Sequence, residues 1–226
     1  MMDVQSTRFC DPADAPAVAE ARRKAEDLLD GRLGSHDWEH TLRVYRLCAD
    51  LGPREGADMV VLLVAALLHD IGRSQQDACR GNICHAEKGA EMAMDLVAGL
   101  ALTDAQKANV IHCVRTHRFR KQPFPETIEA RVLFDADKLD AIGAVGIARA
   151  YQFAGELGAR FHNPHHEVAN TKAYSRDDTG FREYQVKLKY IKARMLTEAG
   201  RRRAEGRHRF MTAFFERLRQ EVDGHL

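Results

Sequence analysis

Three short stretches of this 226-residue chain concentrate side chains able to hold a cation. In AALLHDIG, residues 65–72, an apolar run ends abruptly in His69-Asp70 and a glycine. An ionisable pair left alone at the core end of an apolar helix is costly, and a divalent metal supplies a reason for it. Neighbours on a helix point about 100° apart, so the pair can share one ion where the helix unwinds. In HDWEHTLRV, residues 36–44, His36 and His40 stand at i and i+4 and share a helical face. In LFDADKLDAIG, residues 133–143, Asp135, Asp137 and Asp140 fall within two turns. Carboxylates so close repel unless a cation lies among them, and Asp137 and Asp140, at i and i+3, share a face.

The elements that must position these groups read as helices. Alternating β-branched runs are nearly absent and helix formers dominate. The first helix is expected over residues 15–30, with Pro16 in its first turn. The second starts at Ser35 as N-cap and stops at Gly52-Pro53 near residue 51. The third, residues 55–71, is apolar all round and should be central, and a polar loop follows it through residue 82. Further helices are expected over 84–98, 103–117 with Thr103 as N-cap, 126–137 and 144–156. Residues 158–180 form the longest irregular stretch, of the kind that serves as a lid or substrate loop. Residues 181–222 read as two helices broken near Gly200. The whole is an all-α bundle of about seven to nine helices in one domain spanning residues 1–226. Its motif region covers 17–157, with the C-terminal helices of 181–223 packed on it.

Composition narrows the classes. With 45% apolar residues the chain can bury a substantial core. Thirty-four Lys and Arg against 33 Asp and Glu leave a net charge of +1, which disfavours a coat for nucleic acid or an anionic membrane. The five cysteines have no C-x-x-C pair, so neither a disulfide framework nor a structural zinc site is expected, and free thiols suit a cytoplasmic setting. No signal peptide and no bilayer-length apolar run is apparent.

In that order, a His, a His-Asp pair behind an apolar helix and a later Asp, the chain resembles the HD superfamily of metal-dependent phosphohydrolases. The resemblance implies His40, His69, Asp70 and Asp137 as metal ligands. His40 is preferred to His36 because His40-Thr41-Leu42-Arg43-Val44 matches the family's His-x-x-Arg-Val. DADKLDAIGAVGIARA and the tail KLKYIKARMLTEAGRRRAEGRHRFMTAFFERL look like a subgroup of small bacterial HD hydrolases, some acting on nucleoside phosphates. His85 and His117 fall where two-metal HD enzymes place further ligands. The Gly-Tyr-Pro segment of the cyclic dinucleotide phosphodiesterases is missing, RFRKQPFP standing in its place.

The implied activity is hydrolysis of a phosphoester or phosphoanhydride of a small substrate, a nucleotide foremost. It would depend on one divalent ion (Mn, Fe, Co, Ni or Mg), with a second metal as an option. Asp70, as ligand, could orient the attacking water, and Asp140 is the candidate general base or orienting group. Arg73, His85, His117, His36 and Lys138 are the candidate substrate contacts, with Arg118 a further cation. Each has an ordinary alternative: a packed histidine, a helix-end salt bridge or a solvated charge. His162, His165 and His166 read more simply as loop residues, and RRRAEGRHR, from Arg201, as an exposed helical face. A regulatory module that binds metal and nucleotide without turnover is the competing class. An RNA-binding role lacks the aromatic platform it needs.

Overall fold

The computed structural model describes residues 11–29, 37–79, 83–118, 123–163, 168 and 170–226. Among the described residues there are no strands and ten α-helices. In chain order these are α1 (Pro16–Leu29), α2 (Trp38–Glu55), α3 (Met59–Leu68), α4 (Arg73–Ala78), α5 (His85–Ala98), α6 (Asp104–Thr116), α7 (Ile128–Asp140), α8 (Gly143–Glu156), α9 (Gly180–Val186) and α10 (Glu198–Val222).

The apolar sequence of α3 leaves it no face for solvent, and every residue from Val61 to Leu68 is buried. Asp58 caps it, accepting the N–H groups of Val60 and Val61. Helices α1, α2, α6 and α7 pack around α3, while α5 lies on α6, and α10 closes the bundle against α2, α7 and α8. Thr103 and Gln106 form the capping box that starts α6. No helix among the described residues is long and apolar enough to cross a membrane.

Four local expectations change. Helix α2 does not stop at Gly52-Pro53 but runs to Glu55, and Gly56 ends it at φ 72°. Pro53 lies in the last turn, where its missing N–H costs one bond rather than the helix, and the left-handed cap needs glycine. The start of α2 is capped by Asp37, whose carboxylate accepts the N–H of His40. Ser35, the expected cap, lies outside the described residues, as do His36, His165 and His166. The polar segment after Gly72 contains the short helix α4. Finally, Gly200 does not break the C-terminal region. Two 3₁₀ turns, Leu188–Tyr190 and Lys192–Arg194, separate α9 from α10, and Gly200 sits in the first turn of α10.

Candidate metal centre

Helix α3 delivers His69 as its C-cap residue, and the chain then turns through Asp70 and Ile71 to Gly72. A side chain at Gly72 would meet the His85 carbonyl oxygen at 2.4 Å and the Gly89 nitrogen at 2.5 Å. Only glycine lets the His-Asp turn lie this close to the first turn of α5, the helix that carries His85. His40 arrives from the first turn of α2, His117 from the C-cap of α6, and Asp137 from the last turn of α7.

These six side chains meet around Asp70. Its Oδ2 lies 3.6 Å from His40 Nε2 and 3.8 Å from His69 Nε2. Its Oδ1 lies 3.3 Å from His85 Nε2 and 3.6 Å from His117 Nε2. Asp137 Oδ1 is 3.5 Å from His40 Nε2. Two groups result, His40–His69–Asp137 and Asp70–His85–His117, each with its ligand atoms within 4.8 Å of one another. The four imidazoles and Asp70 are at most 3% exposed, and Asp137 is the member nearest solvent, at 14%.

Each imidazole is turned the same way. Nδ1 of His40 faces Asp140 Oδ2 at 2.7 Å, that of His69 the Ala66 carbonyl at 2.8 Å, that of His85 the Gln76 side-chain oxygen at 2.8 Å and that of His117 the Val114 carbonyl at 2.7 Å. All four partners are acceptors, so the ring proton sits on Nδ1 and the Nε2 lone pairs point inward. His40 and His69 Nε2 are then 3.3 Å apart, and His85 and His117 Nε2 3.2 Å. Lone pairs at that separation repel in neutral rings, and a cation between them relieves the repulsion. Mixed imidazole and carboxylate donors suit a divalent transition metal, so the residues fit the ion that the sequence implies.

For His69 and His85 the electrostatics agree with a neutral, ligand-ready ring. Burial pushes the His69 pKa down to about 4 against the pull of Asp70, and pushes His85 down to about 2. Burial would raise the Asp137 carboxyl, but Lys138, His40, His117 and His69 outweigh it and hold it well below the usual range.

The remaining sequence candidates fall around this centre. Asp140 is 1% exposed. Besides His40 it accepts Arg43 Nε at 2.8 Å, Arg43 Nη2 at 3.2 Å and Arg149 Nη1 at 2.8 Å. Arg73 Nη2 is 3.7 Å from Asp70 Oδ2, and Lys138 pairs with Asp137. Arg118 donates to Gln76, 3.0 Å away. Asp135 leaves the group. It points the other way from α7 and accepts the N–H of Leu196, the N–H of Thr197 and the Thr197 hydroxyl at the start of α10. The three-carboxylate cluster expected from spacing therefore divides between two faces of α7. Gln76, Arg43 and Arg149 were not singled out from the sequence as parts of the site. Only Arg43, in the His-x-x-Arg-Val pattern, carried a signal that could have drawn attention.

The HD domain family model matches residues 37–142, a span from the α2 cap to just past the end of α7 that contains all six side chains described above. The Bacillus subtilis protein YpgQ is 34% identical over 211 residues, covering 91% of this chain and 93% of YpgQ. The crystal structure of YpgQ in complex with ADP is similar at a TM-score of 0.71 and 30% identity, over 91% of this chain and 94% of that one. A predicted HD superfamily hydrolase from an uncultured Thermotogales bacterium is similar at a TM-score of 0.67 and 28% identity, over 92% and 95% of the two chains. With the ordered His, His-Asp and Asp inside the matched span, the chain belongs to the HD domain family and has the HD-superfamily hydrolase fold.

Proposed function

We propose that the protein is a divalent-metal-dependent phosphohydrolase that cleaves a phosphoester or phosphoanhydride bond of a nucleotide, and that His40, His69 and Asp137 would hold one divalent ion and Asp70, His85 and His117 a second. The observation that carries this reading is the division of the Asp70 carboxylate. Its Oδ2 faces His40 and His69, and its Oδ1 faces His85 and His117. His85 and His117 are read as ligands of the second position rather than as substrate contacts. The binding of ADP by YpgQ supports a nucleotide as the substrate class.

Bound divalent ions supply Lewis acidity toward a phosphoryl group and acidify water. The chain's own residues do the rest. Asp140 orients His40 and keeps the ring proton on Nδ1, and Gln76 does the same for His85. Asp140 is assigned this positioning role rather than that of general base, because its two oxygens are already taken up by three cationic or ring donors. Arg73 and Lys138, beside Asp70 and Asp137, are the cations placed to offset phosphoryl charge, Arg73 through its planar fork.

The test is metal content together with hydrolysis of nucleoside mono-, di- and triphosphates under Mn, Mg, Co and Ni, for the native chain and Asp70→Asn. The expected result is about two metal equivalents and turnover that the substitution abolishes, the released phosphate or pyrophosphate identifying the bond cut. Metal binding without turnover of any nucleotide overturns the hydrolase reading and favours a regulatory module. One equivalent unaffected by His85→Ala overturns the second metal position.

A further inference from the structure

On the far side of Asp140 from the metal ligands is a pocket of about 290 Å³. Its charged walls are Arg43, Arg46 and Asp50 from α2, Asp140 from α7, and Arg203 and Arg207 from α10, with none of the six metal-facing side chains among them. His40 separates the two sites, its Nε2 turned to the metal centre and its Nδ1 to Asp140. Arg203 and Arg207 belong to the basic run RRRAEGRHR that the metal centre leaves unused. Its other three arginines do not line the pocket: Arg201 donates to the Met195 carbonyl, Arg202 pairs with Glu198, and Arg209 is exposed.

The charges at this pocket do not balance. Some exposed arginines of α1 and α10 have acids of their own a turn away, as Arg23 has Glu20 and Asp27, Arg217 has Glu221, and Arg219 has Glu216 and Asp223, whereas the exposed Arg22 and Arg209 make no ion pair among the described residues. At the pocket, Asp50 already serves Arg54 and Arg203, and Asp140 serves Arg43, Arg149 and His40. Arg46 makes no ion pair among the described residues, and Arg207 donates to the Leu139 carbonyl rather than to a carboxylate. Four arginines (Arg43, Arg46, Arg203 and Arg207) thus line the pocket with two acids, Asp50 and Asp140, that are already shared. The charges of Asp37 and Glu39 also reach Arg43. Burial lowers the Arg207 pKa, and the neighbouring Arg203 adds to that shift against Asp140. Cations gathered in this way are stabilised by a bound anion.

We propose that this arginine pocket is a second ligand site, separate from the metal centre, that binds a phosphate-bearing anion of about diphosphate size. Guanidinium forks match phosphate oxygens two at a time. The volume lies at the lower limit of small-molecule pockets, which suits a diphosphate or the diphosphate end of a nucleotide. Arg43 links the two sites, since it lines the pocket and holds the Asp140 that orients His40.

The test is calorimetric titration with inorganic pyrophosphate of the full chain, of Asp70→Asn, and of Asp70→Asn combined with Arg46→Glu. Arg46 is exposed, so its replacement leaves the fold intact, as circular dichroism checks. The expected result is that Asp70→Asn keeps a pyrophosphate site and Arg46→Glu weakens it by about tenfold or more. Loss of all binding in Asp70→Asn, or binding there that Arg46→Glu does not change, overturns the proposal. Neither result bears on hydrolysis, which Asp70→Asn tests separately. A parallel titration with ADP assigns the source: tighter Arg46-dependent binding than pyrophosphate points to a nucleotide, and equal or weaker binding to free diphosphate.

Discussion

Replacing Asp140 with alanine separates a positioning group from a catalytic base. The carboxylate is buried and receives four N–H donors, one from His40, two from Arg43 and one from Arg149. Burial would raise its pKa, but the hydrogen bonds from His40 and Arg43 and the charge of Arg149 hold it well below the usual carboxylate range. Alanine leaves two guanidinium groups without their shared anion. Breaking a buried pair costs about 3–5 kcal/mol, and because Arg43 is 30% exposed the lower end applies. For a chain of this length, about 3 kcal/mol lowers the thermal midpoint by about 6–12 °C. His40 also loses the acceptor that fixes its proton, so metal affinity should fall about 10–100-fold. At saturating metal, kcat should stay within about tenfold of the native value. Asp140→Asn should recover part of the metal affinity, since its amide oxygen can still accept from His40, but not the stability. The assay pairs metal titration and thermal unfolding with kcat measured at saturating metal. A general base would instead lose about 10²–10⁴ in kcat even at saturating metal, and that result would refute the assignment.

Other perturbations have equally distinct readouts. Gln76→Leu removes the acceptor shared by His85 and Arg118. It should weaken one metal equivalent by about 10–100-fold and spare the other, as a two-step metal titration reads directly. Asp135→Ala strands two backbone N–H groups and a hydroxyl at the start of α10. It should cost about 2–4 kcal/mol in urea unfolding with metal stoichiometry unchanged, and altered stoichiometry would return Asp135 to the metal centre. In metal-free protein, His69 and His85 titrate at about 4 and about 2 because they are buried, against about 6.5 when unfolded. Their folded pKa values are depressed, so the stability they contribute is complete above pH 6.5 and is lost as pH falls toward 4. The unfolded chain takes up protons there that the folded one refuses. Between pH 7.5 and 5.5 the two rings together should cost about 2–3 kcal/mol, and coincident urea midpoints at the two values would contradict this.

What the sequence disclosed and what it hid follow from the range of each signal. The all-apolar run of α3, the cap at Thr103 and the glycine after His69-Asp70 are local signals and were legible, although α3 begins at Met59 behind Asp58 and ends at Leu68 rather than filling the expected 55–71. Spacing along α7 places Asp137 and Asp140 on one face, yet it does not say what that face meets. Asp135 is two residues from Asp137 and so points nearly opposite on a helix; counted with the others by proximity, it serves α10 instead. The short α4 was hidden in a polar stretch that reads as loop, and Gln76 with it. His85 and His117, 32 residues apart, meet only because α5 packs on α6, a contact that neither helix announces.

The four histidines show why half of the supporting shell cannot be read from residue types at all. His69 and His117 are C-cap residues, and each places Nδ1 on the carbonyl three residues earlier in its own helix, Ala66 and Val114. The last carbonyls of a helix have no intrahelical N–H to receive, so any residue at those positions supplies the acceptor and no particular side chain is required. His40 and His85 lie in the first turns of α2 and α5. There the helix exposes N–H groups rather than carbonyls, so its own backbone offers Nδ1 no acceptor, and a side chain must come from elsewhere. Asp140 comes from α7 and Gln76 from α4. Polar partners specific to a buried histidine should therefore be sought for the metal-facing histidines that begin helices, whereas for those that end helices the acceptor positions answer to core packing, as the buried Ala66 and Val114 do, and not to a polar side chain.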